Sequence, residues 1–176
     1  MYRRNGTRFQ PGHTRSLKRS GRKTVPVWAW MSGDGAGEIH RINGRLNGEQ
    51  YIDVLENSLI PSAYARYGLG PIRFVQDRSP IHTCNVVQEW FEQHPEIELI
   101  PWPAKGADFN PIENVWSEMV RDMDARNVTN PDDLWSKVTN IWGELKRRDN
   151  YWVTLSDSMV DRLRMAREIG GEWTKY

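Results

Sequence analysis

The chain has 176 residues, of which 38% are hydrophobic and 27% are charged, and it contains nine tryptophans. This composition is that of a soluble globular chain, which we expect to form one domain with a packed core. The single cysteine, Cys84, excludes an intrachain disulfide and suits a reducing compartment. No apolar run approaches the roughly 20 residues of a membrane span, and no signal-peptide core is recognisable. We therefore expect neither a membrane protein nor a secreted one.

The net charge of +1 hides an uneven distribution. Residues 1–23 contain eight basic residues and no acid, whereas residues 24–176 contain 16 basic and 23 acidic residues, a net charge of −7. This basic arm lacks apolar periodicity, which is typical of a solvated, partly disordered terminus. The same residues could contact DNA phosphates when bound, or serve as a nuclear-localisation patch. The candidate DNA-binding residues are Arg3, Arg4, Arg8, Arg15, Lys18, Arg19, Arg22 and Lys23.

The first predicted secondary structure is a β-hairpin. Residues 24–32 alternate as a strand, with one face formed by Val25, Val27, Ala29 and Met31. Gly33-Asp34-Gly35 is a turn signal, and residues 38–42 are predicted to return as the partner strand.

A helix is predicted to follow this hairpin. Asn47 is a good N-cap, and Gln50 three residues later completes the pattern of a capping box. Pro61 is expected to end the helix, because proline lacks the amide hydrogen that a helix needs. The predicted apolar face contains Tyr51, Val54 or Leu55, and Leu59.

The next segment is predicted to be a strand that ends in an acid. Residues 72–76 alternate, with Ile72, Phe74 and Gln76 on one face and Arg73, Val75 and Asp77 on the other. Pro80 opposes continuation of the strand, so Asp77 is expected at the carboxyl end of a buried strand. In open α/β sheets, ligands bind at that end.

A helix that begins at His82 or Thr83 and a short strand over residues 97–100 are predicted next. The helix is expected to turn inward Val86, Val87, Trp90 and Phe91, and Pro101 and Pro103 close the strand. A lone histidine such as His82 is more often a hydrogen-bonding structural residue than a metal ligand.

The second acid of interest lies at the start of a further helix. Asn110 is a good N-cap, and Pro111 suits the first helical position. Glu113 lies in the first turn, beside the apolar stripe, from where it could reach the end of the Asp77 strand. The predicted stripe contains Ile112, Val115, Trp116, Met119 and Val120.

Two acids brought together from a strand end and a helix start would suit a divalent metal ion. Magnesium takes carboxylate oxygens, usually one or two, with phosphate and water. Two such ions roughly 4 Å apart can activate a nucleophile and stabilise the leaving oxygen of a phosphodiester. Two simpler interpretations stay open, since Asp77 could be only a turn former and Glu113 only the partner in a capping box.

Two more helices are predicted in the last third of the chain. Asn130-Pro131-Asp132-Asp133 is a strong start signal for the first of them. Its apolar stripe contains Leu134, Val138, Ile141, Trp142 and Leu145. The last helix is predicted over residues 156–169 and is expected to end at Gly170-Gly171.

The motifs around both acids resemble the catalytic core of the Tc/mariner transposases. FVQDRSPIHT at 74–83 is similar to that family's strand ending in QD(N)xPxHT. LIPWPAKGADFNPIENVWSEM at 99–119 is similar to its strand ending in WP followed by SPDLNPIENxW. The hairpin, the segment at 47–61 and the GGEWTKY ending at 170–176 match further family segments, so the resemblance covers nearly the whole chain.

The resemblance implies a ribonuclease-H-like α/β fold, a mixed sheet flanked by helices, over residues 24–176. It implies an acidic metal-binding triad with Asp77 as the second acid and Glu113 as the third, which bind Mg²⁺ with Mn²⁺ as a substitute. His82 and Asn110 would support these ligands. The implied activity is cleavage and strand transfer in cut-and-paste DNA transposition. The implied partners are transposon ends and target DNA, with a homodimer of the full-length protein and a nuclear location.

Two parts of the family's proteins are expected upstream of Met1: the paired helix-turn-helix region and the central first strand, which carries the first triad acid. Asp34 in a turn, Asp53 on a solvated helix face and Asp108 near a helix cap are poor substitutes. Without the central strand, the remaining strands lose a shared neighbour. We therefore expect the chain alone to fold poorly or to aggregate through its sheet edges.

One departure from the family pattern favours a rival interpretation. Arg78 stands where the family has asparagine, and a cation there would weaken metal binding unless it pairs with a DNA phosphate. With the first acid absent, the chain could be a catalytically inactive remnant or a co-opted nucleic-acid-binding domain. A host nuclease of the same fold is a weaker alternative, because the match extends through the GGEWTKY ending.

Overall fold

A computed structural model describes residues 23–103, 106, 109–123 and 127–168. No helix in these ranges is long and apolar enough to cross a membrane. In chain order the elements are β1 (Val27–Ser32), β2 (Gly35–Arg41), α1 (Gly48–Val54), a π-helical turn (Leu55–Leu59), α2 (Ile60–Tyr67), β3 (Ile72–Phe74), α3 (Asn85–Gln93), β4 (Ile97–Leu99), α4 (Ile112–Asp122), α5 (Pro131–Lys146) and α6 (Tyr151–Glu168).

The strands β1 and β2 form the predicted antiparallel hairpin, with its turn at Gly33-Asp34. The predicted inward face of β1 packs against one hydrophobic core through Val25, Val27, Ala29 and Met31. Trp28 and Trp30, on the opposite face, pack against a second core. Because side chains alternate along a strand, the hairpin packs against one core with each of its two faces.

The helical segment that begins after Asn47 continues past Pro61, contrary to the prediction. The predicted capping box is present, since Asn47 Oδ1 accepts the Gln50 N–H at 2.8 Å and Gln50 Oε1 accepts the Asn47 N–H at 3.2 Å. The backbone then widens into the π-helical turn, where the Ile60 N–H donates to the Leu55 carbonyl. Pro61 lies in the first turn of α2, the part of a helix in which proline is tolerated.

The strands β3 and β4 form a separate sheet, in which they run parallel and pair Ile72 with Ile97 and Phe74 with Leu99. The strands that the structure describes therefore make two sheets of two strands each. A groove of about 920 Å³ is lined by residues of both β1 and β3. This arrangement agrees with the expected sheet that lacks its central strand. The poor folding of the isolated chain stays a prediction.

The strand β3 is shorter and less buried than predicted. Its ladder ends at Phe74 rather than at Gln76. Its outer face is exposed to water, and Arg73 forms an ion pair there with Glu98 of β4 at 3.3 Å. The predicted alternation is confirmed, since Gln76 is buried on the same face as Phe74.

Two hydrophobic cores hold these elements together. The first core lies between the hairpin and α4, α5 and α6, and the Trp142 ring at its centre lies 5.8 Å from Trp116 and 5.7 Å from Trp152. The second core lies on the other face of the hairpin and joins α1, α2, α3, β3 and β4. Its most buried members are Tyr51, Leu55, Leu59 and Val87.

Two residues of the predicted apolar stripes point outward. Val86 on α3 is 41% exposed and Val120 on α4 is 68% exposed. Each stands beside a buried residue, Val87 or Met119, that occupies the inward position. Because successive residues on a helix point about 100° apart, only one residue of each adjacent pair faces the core.

The last two helices extend the first core. Asn130 caps α5 as predicted, because its Oδ1 accepts the N–H groups of Asp132 and Asp133, both at 2.9 Å. The helix α6 begins at Tyr151 rather than at residue 156, because Trp152 is 4% exposed and packs into the first core. Its predicted end at Gly170-Gly171 lies outside the described residues.

Candidate active site

Asp77 follows β3 and is held by its own loop. Its side chain is 55% exposed. The Oδ1 atom accepts the Ser79 N–H at 3.0 Å and lies 2.7 Å from Nδ1 of His82. Both contacts go to the same oxygen, so Oδ2 has no hydrogen-bond partner within the part of the chain that the structure describes. The predicted supporting role of His82 agrees with this geometry.

A buried series of polar groups lies behind this contact. Tyr51 on α1 is fully buried, and its hydroxyl donates to Gln76 Oε1 at 2.5 Å. Gln76 Nε2 in turn donates to the carbonyl of His82 at 3.3 Å, and the Tyr51 ring lies 4.3 Å from the imidazole. Burial, followed by the negative charge of Asp77, raises the pKa of the Tyr51 hydroxyl far above its usual range. The hydroxyl therefore stays protonated and remains a donor.

Glu113 lies in the first turn of α4. Asn110 prepares this turn, because its Oδ1 accepts the Ile112 N–H at 3.2 Å and its carbonyl accepts the Glu113 N–H at 3.1 Å. The helix itself begins at Ile112, one residue later than predicted from Pro111. The Glu113 carboxylate makes no hydrogen bond or ion pair with any residue that the structure describes, so no capping-box contact explains its position.

The two predicted acids share one electrostatic environment. Partial burial and the negative charge of Asp77 both raise the pKa of Glu113 above its usual value. The charge of Asp77 therefore acts on a carboxyl group from which 35 residues separate it in the sequence. Carboxylates that repel each other gain from a bound cation, because its charge removes the repulsion.

The donor set fits a hard divalent ion. Asp77, His82 and Asn110 line the groove together, and carboxylate oxygens without protein partners are the ligands that Mg²⁺ takes. Across the described ranges, no group of three His, Cys, Asp or Glu side chains could hold a metal ion. An ion bound by the pair would therefore take its other ligands from water and phosphate.

Of the other candidate acids, the two that the structure describes do not complete the pair. Asp34 is exposed in the hairpin turn, and Asp53 is exposed on α1, where its Oδ1 accepts a hydrogen bond from Asn57 at 2.8 Å. Both positions agree with the predictions. Asp108 lies outside the described residues.

Comparison with known proteins places the chain in a family. The model of the DDE superfamily endonucleases matches residues 1–135. The chain belongs to this family. The Tc1 transposase of Caenorhabditis elegans is 29% identical over 171 residues, which are 97% of this chain and 61% of the relative. The Tc3 transposase of the same organism is 36% identical over 151 residues, which are 84% of this chain and 44% of the relative. The predicted resemblance to Tc/mariner transposases is therefore confirmed.

The DDE domain also matches a solved catalytic domain, that of Mos1 mariner transposase, with a TM-score of 0.72. The match has 16% sequence identity and covers 87% of this chain and 77% of that domain. It confirms the predicted ribonuclease-H-like fold. This chain spans about half to three fifths of the length of the transposase relatives it matches.

The candidate DNA-binding arm falls almost wholly outside the described residues, which begin at Lys23. The Lys23 ammonium donates to the carbonyl of Val128 at 2.7 Å and to that of Thr129. The end of the arm therefore binds the segment before α5. Arg78 is exposed next to Asp77. The arm residues outside the description are Arg3, Arg4, Arg8, Arg15, Lys18, Arg19 and Arg22.

Two groups of residues near the candidate site were not predicted from the sequence to belong to it. Tyr51 and Gln76 were predicted only as parts of a helix face and a strand face. A signal was present, because Gln76 is the polar member of an inward face and a buried amide needs partners. Arg162 on α6 is 2% exposed and donates to Asn114 Oδ1 at 2.7 Å, beside Glu113. No pattern indicated that contact, because its partners lie 48 residues apart.

Proposed function

We propose that this chain is the catalytic domain of a Tc/mariner-type transposase, which cleaves phosphodiester bonds with a divalent metal and transfers the cut strand in cut-and-paste DNA transposition. The observation that carries the proposal is the match of residues 1–135 to the DDE superfamily endonuclease model. Asp77 and Glu113 lie within that range, in the two motifs that resemble the family, and the charge of Asp77 acts on Glu113. The Mos1 transposase catalytic domain has been solved with Mg and with Mn, and Mos1 transposase has been solved in a paired-end complex with a transposon end.

In this proposal Asp77 and Glu113 hold Mg²⁺, or Mn²⁺ in its place. The ion would supply Lewis-acid stabilisation of the charge that develops on the phosphodiester oxygens. Asp77 presents Oδ2 while Oδ1 stays bound to Ser79 and His82. Among the described residues, the Glu113 carboxylate has no hydrogen bond or ion pair that would have to break before it binds the ion. The protein contributes position and charge, and it needs no covalent nucleophile.

The proposal includes DNA as partner, a homodimer of the full-length protein and a nuclear location. Residues 1–23 would contact DNA phosphates without sequence preference, so DNA binding should weaken steeply as salt rises. A chain that lacks residues 1–23 should lose most of this salt dependence. The same deletion, followed by microscopy of a fluorescent fusion, tests whether the arm directs the protein to the nucleus.

Metal-dependent nicking of supercoiled DNA tests the activity. We expect nicking with Mg²⁺ or Mn²⁺ and none with EDTA. Asp77→Asn and Glu113→Gln should each reduce the nicking rate by about 100-fold or more, because each removes a charge that stabilises the reacting centre. Asp53→Asn is a matched control, since Asp53 is an exposed acid on α1 with an ordinary hydrogen bond to Asn57. Nicking that survives both site changes would contradict the proposal.

The second candidate is a remnant that binds DNA without cutting it. Two observations favour it: the described residues provide no third acid beside the pair, and Arg78 is exposed next to Asp77. Its signature is salt-sensitive DNA binding with no metal-dependent nicking. If Arg78 suppresses metal binding, Arg78→Asn should strengthen metal binding, because it removes a repelling charge.

A further inference from the structure

Asp77 is connected to the second core by three consecutive contacts and a fourth that runs parallel to them. The Tyr51 hydroxyl donates to Gln76 Oε1, Gln76 Nε2 donates to the His82 carbonyl, and His82 Nδ1 lies 2.7 Å from Asp77 Oδ1. The fourth contact is the ring packing of Tyr51 on His82, with centroids 4.3 Å apart. Tyr51 is fully buried and Gln76 is 9% exposed, so the series begins in the rigid interior.

The contacts hold the histidine at three separate points. Its ring face packs on Tyr51, its carbonyl accepts from Gln76, and its Nδ1 meets the carboxylate. The backbone of the same loop is closed by the His82 N–H, which donates to the Ser79 carbonyl at 2.9 Å. A ring held in this way can donate to Asp77 in only one orientation, which selects one rotamer of the carboxylate.

We propose that Tyr51 and Gln76 are positioning residues that act through His82 to hold Asp77 with Oδ2 directed to a bound divalent ion. The inference rests on the proposed metal-binding role of Asp77. Partners of metal ligands orient those ligands, and their loss typically weakens metal binding by about 10- to 100-fold. Tyr51 is one contact further from the ion than His82, so its effect belongs at the lower end of that range.

The competing interpretation is that Tyr51 and Gln76 only fill the core. The two roles can be separated, because a buried hydrogen-bonded pair can be replaced by apolar groups of similar shape with little loss of stability. Tyr51→Phe/Gln76→Met removes the hydroxyl and the amide together, so neither is left facing a lost partner. It also removes the donor to the His82 carbonyl and the hydrogen bond of the Tyr51 hydroxyl with Trp28. A packing role predicts normal metal binding by this double variant, whereas a positioning role predicts weakened binding.

The test uses Tb³⁺ as the probe, with luminescence sensitised by the tryptophans that line the groove, among them Trp102 and Trp116. Titration of the chain gives the affinity, and luminescence lifetimes in H₂O and D₂O give the number of waters on the ion. We expect Tyr51→Phe and the double variant to bind Tb³⁺ about tenfold more weakly. The bound ion should carry about one more water, because a misplaced Asp77 is replaced by solvent. Competition with Mg²⁺ links the probe to the proposed ion.

A conservative pair at His82 adds a rescue test. His82→Asn keeps a side-chain N–H near the position of Nδ1 and should retain most of the affinity, whereas His82→Ala should lose it. Tyr67→Phe is the matched control, since it removes a tyrosine hydroxyl that donates to Ser32 Oγ at 2.6 Å and has no contact with the series. It should bind Tb³⁺ as the unaltered chain does.

The outcomes distinguish this inference from the proposed function. Loss of Tb³⁺ binding in Asp77→Asn and Glu113→Gln, with normal affinity and hydration in Tyr51→Phe and the double variant, would overturn the positioning role alone. Unchanged binding in the two acid variants would overturn the metal site and the inference with it. Weakened binding and an added water in the double variant, with normal circular dichroism, would support the positioning role.

Discussion

The two cores of the molecule are built differently, and each supplies one of the two acids. In the first core, two indoles donate to backbone carbonyls, Trp142 to Gly37 at 3.0 Å and Trp152 to Leu145 at 3.0 Å. In the second core, indoles donate to side chains, as Trp30 does to Ser62 Oγ at 2.9 Å. The second core also contains the buried Tyr51–Gln76 contact, which no apolar packing requires.

The two cores therefore position their acids in different ways. Glu113 belongs to α4 of the first core, and its place is set by helix geometry alone, since its carboxylate has no partner among the residues described. Asp77 follows β3 of the second core, and its place is set by the Ser79 N–H and the His82 side chain, which both contact its Oδ1. Asp77 is therefore held in place before any ligand binds, whereas the Glu113 carboxylate is free to move towards the ligand.

The largest expected effect comes from the centre of the first core. Trp142→Ala should destabilise the chain by about 3–5 kcal/mol, because it leaves a cavity and removes contacts with two neighbouring indoles. Urea denaturation measures the loss, and Trp135→Ala, a half-buried indole at the margin of the same core, should cost clearly less. Hydrogen exchange should quicken more in α4, α5 and α6 than in α1 and α3. Equal quickening everywhere would mean that the two cores form a single cooperative unit.

A smaller effect is expected where the two cores touch through the hairpin. A Cβ at Gly37 would overlap the indole of Trp30 in the second core, while the Gly37 carbonyl accepts the Trp142 N–H of the first. Gly37→Ala should therefore cost about 1–3 kcal/mol through overpacking. Gly70 is a matched control, because no atom lies within 4 Å of a Cβ placed there. A neutral Gly37→Ala in urea denaturation would show that Trp30 has room to move.

The sequence was sufficient for features that depend on local chemistry. The capping box at Asn47, the inward face of β1 and the cap at Asn130 each follow from a few neighbouring residues, and all are confirmed. The motif spacing also predicted that Asp77 and Glu113 lie near each other, and the charge of Asp77 contributes to the raised pKa of Glu113. Their roles as metal ligands stay a prediction.

Features set by distant contacts could not be predicted. Pro61 was expected to end a helix, but the π-helical turn before it lets the segment continue while Leu55 and Leu59 stay buried. The helix α6 starts early because Trp152 finds a core built mostly from other elements. Gln76 was recognisable as a polar residue on an inward strand face, but its hydrogen-bond partner Tyr51 lies 25 residues away. No local pattern indicates such a pair.

The smallest expected effect concerns the acid that has no partner. Because the folded-state pKa of Glu113 is raised, the folded chain holds its proton more tightly than the unfolded chain. Stability is then highest below the unfolded pKa of about 4.3 and is lost as pH rises through the folded pKa. Without divalent ions, Glu113→Gln should therefore raise the Tm at neutral pH by about 1–2 °C, the size expected for a partly exposed charge. The gain should vanish below pH 4.

Glu118→Gln, one turn further along α4, should behave in the opposite way. Burial alone would raise the pKa of Glu118, but the Tyr151 hydroxyl, the hydrogen bond and charge of Arg148 and the charge of Arg121 lower it overall. Its ionised form therefore stabilises the fold above the unfolded pKa, and replacing it should lower the Tm at neutral pH. Added Mg²⁺ should reverse the advantage of Glu113→Gln without changing the effect of Glu118→Gln, since the charge of Asp77 acts on Glu113, whereas Glu118 forms ion pairs with Arg121 and Arg148. Calorimetric melts at pH 4 and pH 7, with and without Mg²⁺, would contradict this account if the two variants shifted in the same direction.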